Sequence, residues 1–562
     1  MKRALTILLM LTSLTLGATK VYVATTGNDG TGDGSSGNPY LTISKGVTEA
    51  TVGDTVYIVA GTYNINATID VPVGISIMGE GSSTILSSTA SGSHDIYGYS
   101  PIFNLESISE GTYGSQSISH MHMNGNDTIA DGGIMIYRRS DVEIHNISME
   151  NFHYYGIRNR GGAAPPVVHA AGNVIHDCII YNCGGPNASF GDIQIGGQEG
   201  MLIYNNHIFQ PQRNGFNRAG FPIKFLAGGD NHGLKIYNND IQLEEGDEYD
   251  EWHFAVELFG CHGGIEIYNN RFWGELDFSD YLGSFGTDDT EGYGFAVKIY
   301  NNIIGGDAPT SEETYGVVFE RSTSGGVYIY NNLIKNVRTG FSFVNPDDNG
   351  ITEDIYIYNN IIHSFGRTGS ASGYGVVIGR LTDALVTHFQ NIHVLNNTIY
   401  DNSEGQPTVG IVVRGGTGIT YDDIFIRNNI IKGIRSGYAI GIWFNKVNAT
   451  DVSVENNLIH DCDYTTPQFD NCSITNLTNQ NNLIADPLFV TTSDLHLQSG
   501  SPCRDAGLDV SAITGGTDFH GASLYGAAYD IGAFEYQGTG RVLLIIDDKI
   551  ATINYKIPLI EH

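Results

Sequence analysis

Along most of this chain, short runs alternate apolar and polar residues, and many of the runs end on a pair of asparagines. The pentapeptide "KIYNN" stands at 235–239 and again at 298–302, with "VYIYNNLI" and "IFIRNNII" as close relatives. The second asparagine of each pair falls at Asn206, Asn239, Asn270, Asn302, Asn332, Asn360, Asn397, Asn429, Asn457 and Asn482. The gaps are 33, 31, 32, 30, 28, 37, 32, 28 and 25 residues. Single asparagines at Asn173 and Asn146 extend the series upstream. Period-two alternation predicts strands. Asparagine suits the turn that ends each one, because it tolerates positive φ and hydrogen-bonds locally.

A second class of strand precedes each pair, as in "GDIQIGG", "GFPIKFL", "FAVELFG" and "GVVFERS". Glycine opens most of these, and β-branched residues fill them. Three short strands in each repeat of roughly thirty residues predict an all-β solenoid, a single-stranded parallel β-helix of about 12–13 coils. Leucine-rich repeats have an LxxLxL pattern and a shorter period, and propeller blades need four strands. In a stack of coils the asparagine corners lie over one another and form an asparagine ladder.

Composition narrows the partners. The 562 residues carry a formal charge of −33 with only 16% charged residues. So acidic a chain lacks the basic footprint that nucleic acid or an anionic membrane requires, although a local cationic patch still admits an acidic polysaccharide. Lys2 and Arg3, the apolar stretch that follows, and the small pair Gly17–Ala18 read as a secretory signal over residues 1–18. That stretch is short for a membrane span, and no later one is long enough. The expected location is secreted or cell-surface. Export permits disulfides, with Cys178–Cys183 and Cys462–Cys472 as the local pairings to test. No CxxC spacing points to zinc.

The repeat resembles the right-handed parallel β-helix superfamily of pectate lyases, polygalacturonases and related carbohydrate-active proteins, over residues 20–490. "YLTISKGVTEA" looks like the short helix that caps such a coil, and "GDTVYIVAGTY" like a first strand. "DPLF" at 486–489, "DLHLQSGSPCRDAG" at 494–507 and "DIGAFEY" at 530–536 resemble the choice-of-anchor Q module of secreted bacterial β-helix proteins. The expected organisation is a signal at 1–18, a cap and first coils at 19–100, repeats at 101–485, the C-terminal module at 486–537 and an extension at 538–562.

Candidate chemistry follows from the in–out alternation of the second strand class. Ile223 and Phe225 point in, so Lys224 points out, and the same logic turns out Glu257, Asp277 and Glu320. Arg158 and Gln194 hold the comparable place in earlier coils. The later coils offer Val344, Gly379, Arg414 and Asn445. One outward column then reads Arg158, Gln194, Lys224, Glu257, Asp277, Glu320, with neighbours about 4.8 Å apart. Lys224 beside Glu257 forms an ion pair. Glu257 beside Asp277 is a like-charge pair with no structural benefit, the kind retained where a cation, a shared proton or a substrate offsets the repulsion. The plain alternative is a solvated face.

Around the column stand Arg160, Arg321, Asp230, His232, His262, Trp252, Trp273 and Tyr281 as substrate-binding or ligating candidates. The acidic run from Glu244 to Glu251 reads as a solvated loop that also offers oxygens to Ca²⁺. The tyrosines Tyr204, Tyr237, Tyr268, Tyr300, Tyr330 and Tyr358 read as ladder packing or as a sugar-binding strip.

Three functions compete. The leading one is β-elimination on a uronate polysaccharide, with Lys224 as base and Arg158 or Arg160 on the acid group. In that reading Glu257 and Asp277, with Asp230, hold Ca²⁺, as resemblance to the β-helix lyases implies. The second is glycoside hydrolysis by Glu257 and Asp277, whose spacing suits a retaining pair. The Gly-Asp-Asp and Gly-His-Gly motifs of polygalacturonases are absent. The third is a non-catalytic adhesin or spacer. Oligomeric state is not legible.

Overall fold

The computed structural model describes residues 19–538, apart from 110, 163–168, 186–188, 212–219, 227–229, 245–252, 280–285, 307–313, 345–349, 367–372, 380–386, 402–408, 435–438 and 524–525. The chain winds as a right-handed parallel β-helix. One 14-stranded parallel sheet takes one strand per turn from Ile69–Asp70 to Gln468–Asp470, slightly more turns than the repeat count suggests. A 28-stranded sheet carries the strands on either side of the asparagine corners. A short third sheet joins Ala170–Ala171, Gln198–Glu199 and Asn231–His232. At the N-terminal end the helix Ile43–Glu49 is capped by Thr42, whose side chain accepts from the Lys45 amide. An additional strand, Lys20–Val23, precedes that helix and pairs with Thr55–Ile58.

Each asparagine of a pair has its own task. The first adopts positive φ, as at Asn205, Asn238, Asn269 and Asn301 (56° to 57°), and turns the chain. The second points inward and is buried. From Asn206 to Asn457, each of these donates from Nδ2 to the Oδ1 of its counterpart one turn on, at 2.9–3.1 Å. The series does not extend upstream through Asn173. That side chain belongs to another corner, where it donates to Arg139 O, Asn159 and Gln198. The place above Asn206 is taken by Cys178, whose backbone amide donates to Asn206 Oδ1. This is also why Cys178 does not pair with Cys183. Both thiols point into the core as separate buried fillers, and all six cysteines are free, Cys462 and Cys472 included.

The interior of the 14-stranded sheet stacks like on like. Ile157, Ile193, Ile223, Val256, Leu276, Val317, Phe341 and Val376 follow one another in register, all fully buried. Each is worth about 1.5–3 kcal/mol on burial. Glycine opens the later strands because neighbouring turns approach too closely for a side chain. A Cβ on Gly340 would lie 2.5 Å from Gly375 O, and one on Gly375 2.4 Å from Gly410 O. Outside the coil, Tyr204, Tyr237, Tyr268, Tyr300, Tyr330 and Tyr358 stack face to face at 4.9–5.0 Å. Their faces cover one another, so they are ladder packing rather than an open strip of faces.

The segment after residue 485 folds back along the side of the coils. Phe489, Leu495, Leu497, Ile531 and Phe534 bury against Leu333, Ile361, Tyr400, Ile430 and Leu458. Asn428 Oδ1 accepts from the Leu508 amide and its Nδ2 donates to Leu508 O, at 2.8 and 2.9 Å. Phe534→Ala is expected to cost about 3–5 kcal/mol by opening a cavity in this seam. The measurement is a lower midpoint of chemical unfolding.

Candidate functional site

The strands Tyr155–Arg160, Gly191–Gly196, Phe221–Phe225, Phe254–Leu258 and Glu275–Phe278 lie side by side in the 14-stranded sheet. Their registers place Arg158 opposite Gln194, Gln194 opposite Lys224, Lys224 opposite Glu257, and Glu257 opposite Asp277. Five of the six expected members thus form one outward column. Glu320 is not the sixth. Asp277 is followed in register by Val318. Glu320 lies two residues further along, where Ser279 Oγ reaches its Oε2 at 3.4 Å. The column then continues as Ser342, Val377, Val412 and Trp443, so its charged part ends at Asp277. Val344, Gly379, Arg414 and Asn445 fall outside it; Arg414 and Asn445 pair two residues past Val412 and Trp443.

The column points away from the core yet is not open to solvent. Arg158, Lys224 and Glu257 are 7–9% exposed, and Gln194 and Asp277 are fully buried. Lys224 Nζ contacts Glu257 Oε2 and sits 5.3 and 5.1 Å from the Phe221 and Phe259 ring centroids. Burial pulls Lys224 down to about 7, with the Asp277 charge pulling the other way. Asp277 is driven the opposite direction. Burial first, then the Glu320 and Glu275 carboxylates, raise it well above the usual carboxylate range, with Ser279 and Lys224 easing it. Neither Asp277 oxygen has a hydrogen-bond partner of good geometry. Burial also raises Glu320. Glu275, in contrast, is structural: its oxygens accept the His253 and Tyr315 amides at 3.2 and 3.0 Å.

A carboxyl raised in this way taxes the fold. The folded state holds a proton that the unfolded chain has released, so stability falls as pH rises from 3.8 toward the folded value. Asp277→Asn keeps the shape and removes the titration. It is expected to raise stability at neutral pH by about 0.5–2 kcal/mol, read as a higher Tm.

The other candidates divide. Arg158 and Arg160 share Tyr97, with guanidinium carbons 4.7 and 5.0 Å from its ring centroid. Arg321 follows Glu320, and burial lowers it. Asp230 does not join Glu257 and Asp277. It lies at the short third sheet, between His262 Nε2 (3.3 Å) and His169 Nε2 (3.7 Å). His262 Nδ1 meets Asp288 at 2.9 Å, and His232 Nδ1 meets the Tyr293 hydroxyl at 3.0 Å. Burial opposes the charging of His262, but Asp288 and Asp230 raise it overall. Trp273 stands on the 28-stranded sheet opposite Gln242, away from the column. Trp252 and Tyr281 lie outside the described residues.

Among the described residues, no three His, Cys, Asp or Glu side chains gather as a metal-binding set. Glu257 is turned to Lys224, and Asp230 to His262 and His169, so Asp230 stands apart from the neighbours Glu257 and Asp277. Sequence reasoning missed His169, Asp288, Tyr97 and Tyr99. Asp288 meets His262 from the next turn, and the others reach their partners from further along the chain, so only the recurring spacing could have marked them.

The sequence matches no protein-family model and no curated protein. Solved structures align over most of their length at low identity. Pectate lyase Pel9A is 13% identical, over 92% of this chain and 96% of that one, with a TM-score of 0.34. The tailspike of E. coli bacteriophage HK620, in complex with a pentasaccharide, is 11% identical over 78% and 74%, with a TM-score of 0.47. PfbA, a surface adhesin of Streptococcus pneumoniae, is 13% identical over 76% and 83%, with a TM-score of 0.35. Fold and site together define a parallel β-helix protein with a buried polar column across five turns of one face. Among the described residues no helix is long and apolar enough to cross a membrane.

Proposed function

We propose that this is an exported enzyme that cleaves a uronate-containing polysaccharide by β-elimination, with Lys224 as the base. One arrangement carries the reading: Lys224 is buried against Glu257, in a column where Arg158, Gln194 and Asp277 keep polar atoms without partners, and burial brings its amine down to about 7. A general base works best with a pKa near the operating pH. The basic and apolar first residues support export.

In this mechanism the neutral amine donates one N–H to Glu257, which aims its lone pair at the sugar. The amine takes the C5 proton. The electron pair forms the C4=C5 double bond as the C4–O4 bond breaks, and the new ammonium returns its proton to the departing oxygen. Negative charge grows on the substrate's acid group. Asp277, buried behind the Lys224–Glu257 pair and kept neutral by its surroundings, adds no second negative charge to oppose it.

A second reading draws on the same Asp277. A protonated Asp277 and a Glu257 held by Lys224 on the adjacent strand, about 5 Å away, also suit a retaining glycosidase. The two separate by product and by pH. Elimination yields unsaturated, ultraviolet-absorbing ends, and its rate rises as pH climbs through about 7, because the amine must lose its proton. Hydrolysis yields reducing ends without that absorbance, and its rate falls as Asp277 ionises. A panel of acidic and neutral polysaccharides, followed by both assays across pH, decides between them. Tight binding with no product of either kind supports the adhesin instead.

A further inference from the structure

The polar column begins with a cation that makes no ion pair among the described residues. Arg158 is 7% exposed, and its Nε and Nη1 are buried without hydrogen-bond partners. Its guanidinium carbon lies 4.7, 5.3 and 5.5 Å from the Tyr97, Tyr99 and Tyr155 ring centroids. The nearby anion is already engaged: Asp95 accepts the Tyr97 and Tyr99 amides at 2.9 Å and the Tyr155 hydroxyl at 3.1 Å. Next in the column, Gln194 donates to Tyr154 O at 3.1 Å and leaves its own Oε1 without a donor. Aromatic faces attract a guanidinium but do not satisfy its N–H groups. A buried arginine with open donors is costly unless an anion completes it, and its planar fork matches a carboxylate or sulfate with two parallel bonds.

We propose that Arg158, caged by Tyr97, Tyr99 and Tyr155, is the receptor for an anionic substituent, carboxylate or sulfate, on a sugar other than the one being cleaved. This rests on the polysaccharide reading above. Arg158 and Lys224 are two strand steps apart, about 10 Å. Arg158 leans toward tyrosines of earlier turns, and Lys224 toward Glu257 of a later one. The sugar whose proton Lys224 removes therefore presents its acid group elsewhere. The polymer must carry anionic groups on more than one residue, and Arg158 makes the site selective for such chains.

The test measures equilibrium binding on a Lys224→Ala background, so that no probe is consumed. Three probes of equal length are used: a uronic-acid oligosaccharide, its carboxyl-reduced neutral counterpart, and a sulfated neutral oligosaccharide. Arg158→Gln is expected to weaken the anionic probes by about 10- to 100-fold and leave the neutral one unchanged. Its salt dependence should flatten as well. Arg158→Lys, which keeps the charge and loses the fork, should recover part of the affinity, and it serves if the glutamine variant does not fold. Preference for the uronic or the sulfated probe identifies the anion. Equal weakening of charged and neutral probes, or none, overturns the receptor. Turnover by the unmodified enzyme separates the two proposals. Arg158-dependent anion selectivity without any unsaturated product leaves the receptor and removes the elimination. Unsaturated product with an unchanged KM in Arg158→Gln does the reverse.

Discussion

Lys224→Arg is expected to lower the rate of unsaturated-end formation by about 10³-fold or more while the protein stays folded. Arginine retains the positive charge, the apolar stem and a partner for Glu257. It cannot give up its proton in any accessible pH range, so it cannot take one from carbon. Lys224→Ala should be at least as inactive, and it also leaves Glu257 buried without the N–H donor it contacts, so its Tm should fall. The arginine variant is the sharper of the two. If the reaction is hydrolysis, with Lys224 serving only to hold Glu257 ionised, Lys224→Arg keeps much of the activity. Initial rates by ultraviolet absorbance and by reducing ends, with Tm as the folding control, separate these outcomes.

Asn302→Ala is expected to be among the most destabilising single changes outside the aliphatic core, at about 3–5 kcal/mol. Asn302 Nδ2 donates to Ile267 O at 2.9 Å and to Asn332 Oδ1 at 3.0 Å. Its Oδ1 accepts both the backbone amide and Nδ2 of Asn270, at 2.9 and 3.0 Å. The side chain is fully buried, so alanine leaves donors and acceptors on two neighbouring turns without water to replace it. The preceding residue is the contrast. Asn301 sits at φ 57° and serves the turn, so Asn301→Gly keeps the conformation and should change stability only by tenths of a kcal/mol. Chemical unfolding of both variants measures the difference. A small loss at Asn302 would mean that the coils are held by backbone pairing and apolar stacking alone.

The architecture was largely legible because its signals are local and repeated. Alternation marks the strands, and the asparagine pair marks the corner. The same two cues placed Arg158, Gln194, Lys224, Glu257 and Asp277 on one line. Glu320 was misplaced because both Val318 and Glu320 point outward between and beyond Val317 and Phe319, and charge favoured the wrong one. Only the backbone pairing decides such a register, and a slip of two residues leaves the in–out pattern unchanged. Asn173 failed for a similar reason: it sits close to the expected period but turns a different corner. The aligned text "HDCII" over "YNNHI" already held the fate of Cys178, because a residue in the asparagine slot faces the interior. Burial of the column was not legible at all. It depends on rings such as Tyr97 and Tyr99, brought to Arg158 from about sixty positions earlier in the chain by the winding of the coil.

The most direct measurement is the pH dependence of product formed from a uronate polymer, with unsaturated ends and reducing ends followed in the same digest. Unsaturated ends that appear faster as pH passes upward through about 7, and that vanish with Lys224→Arg, are the expected result. Reducing ends without ultraviolet absorbance, or a rate indifferent to the state of residue 224, would contradict a buried neutral lysine at the centre of the chemistry.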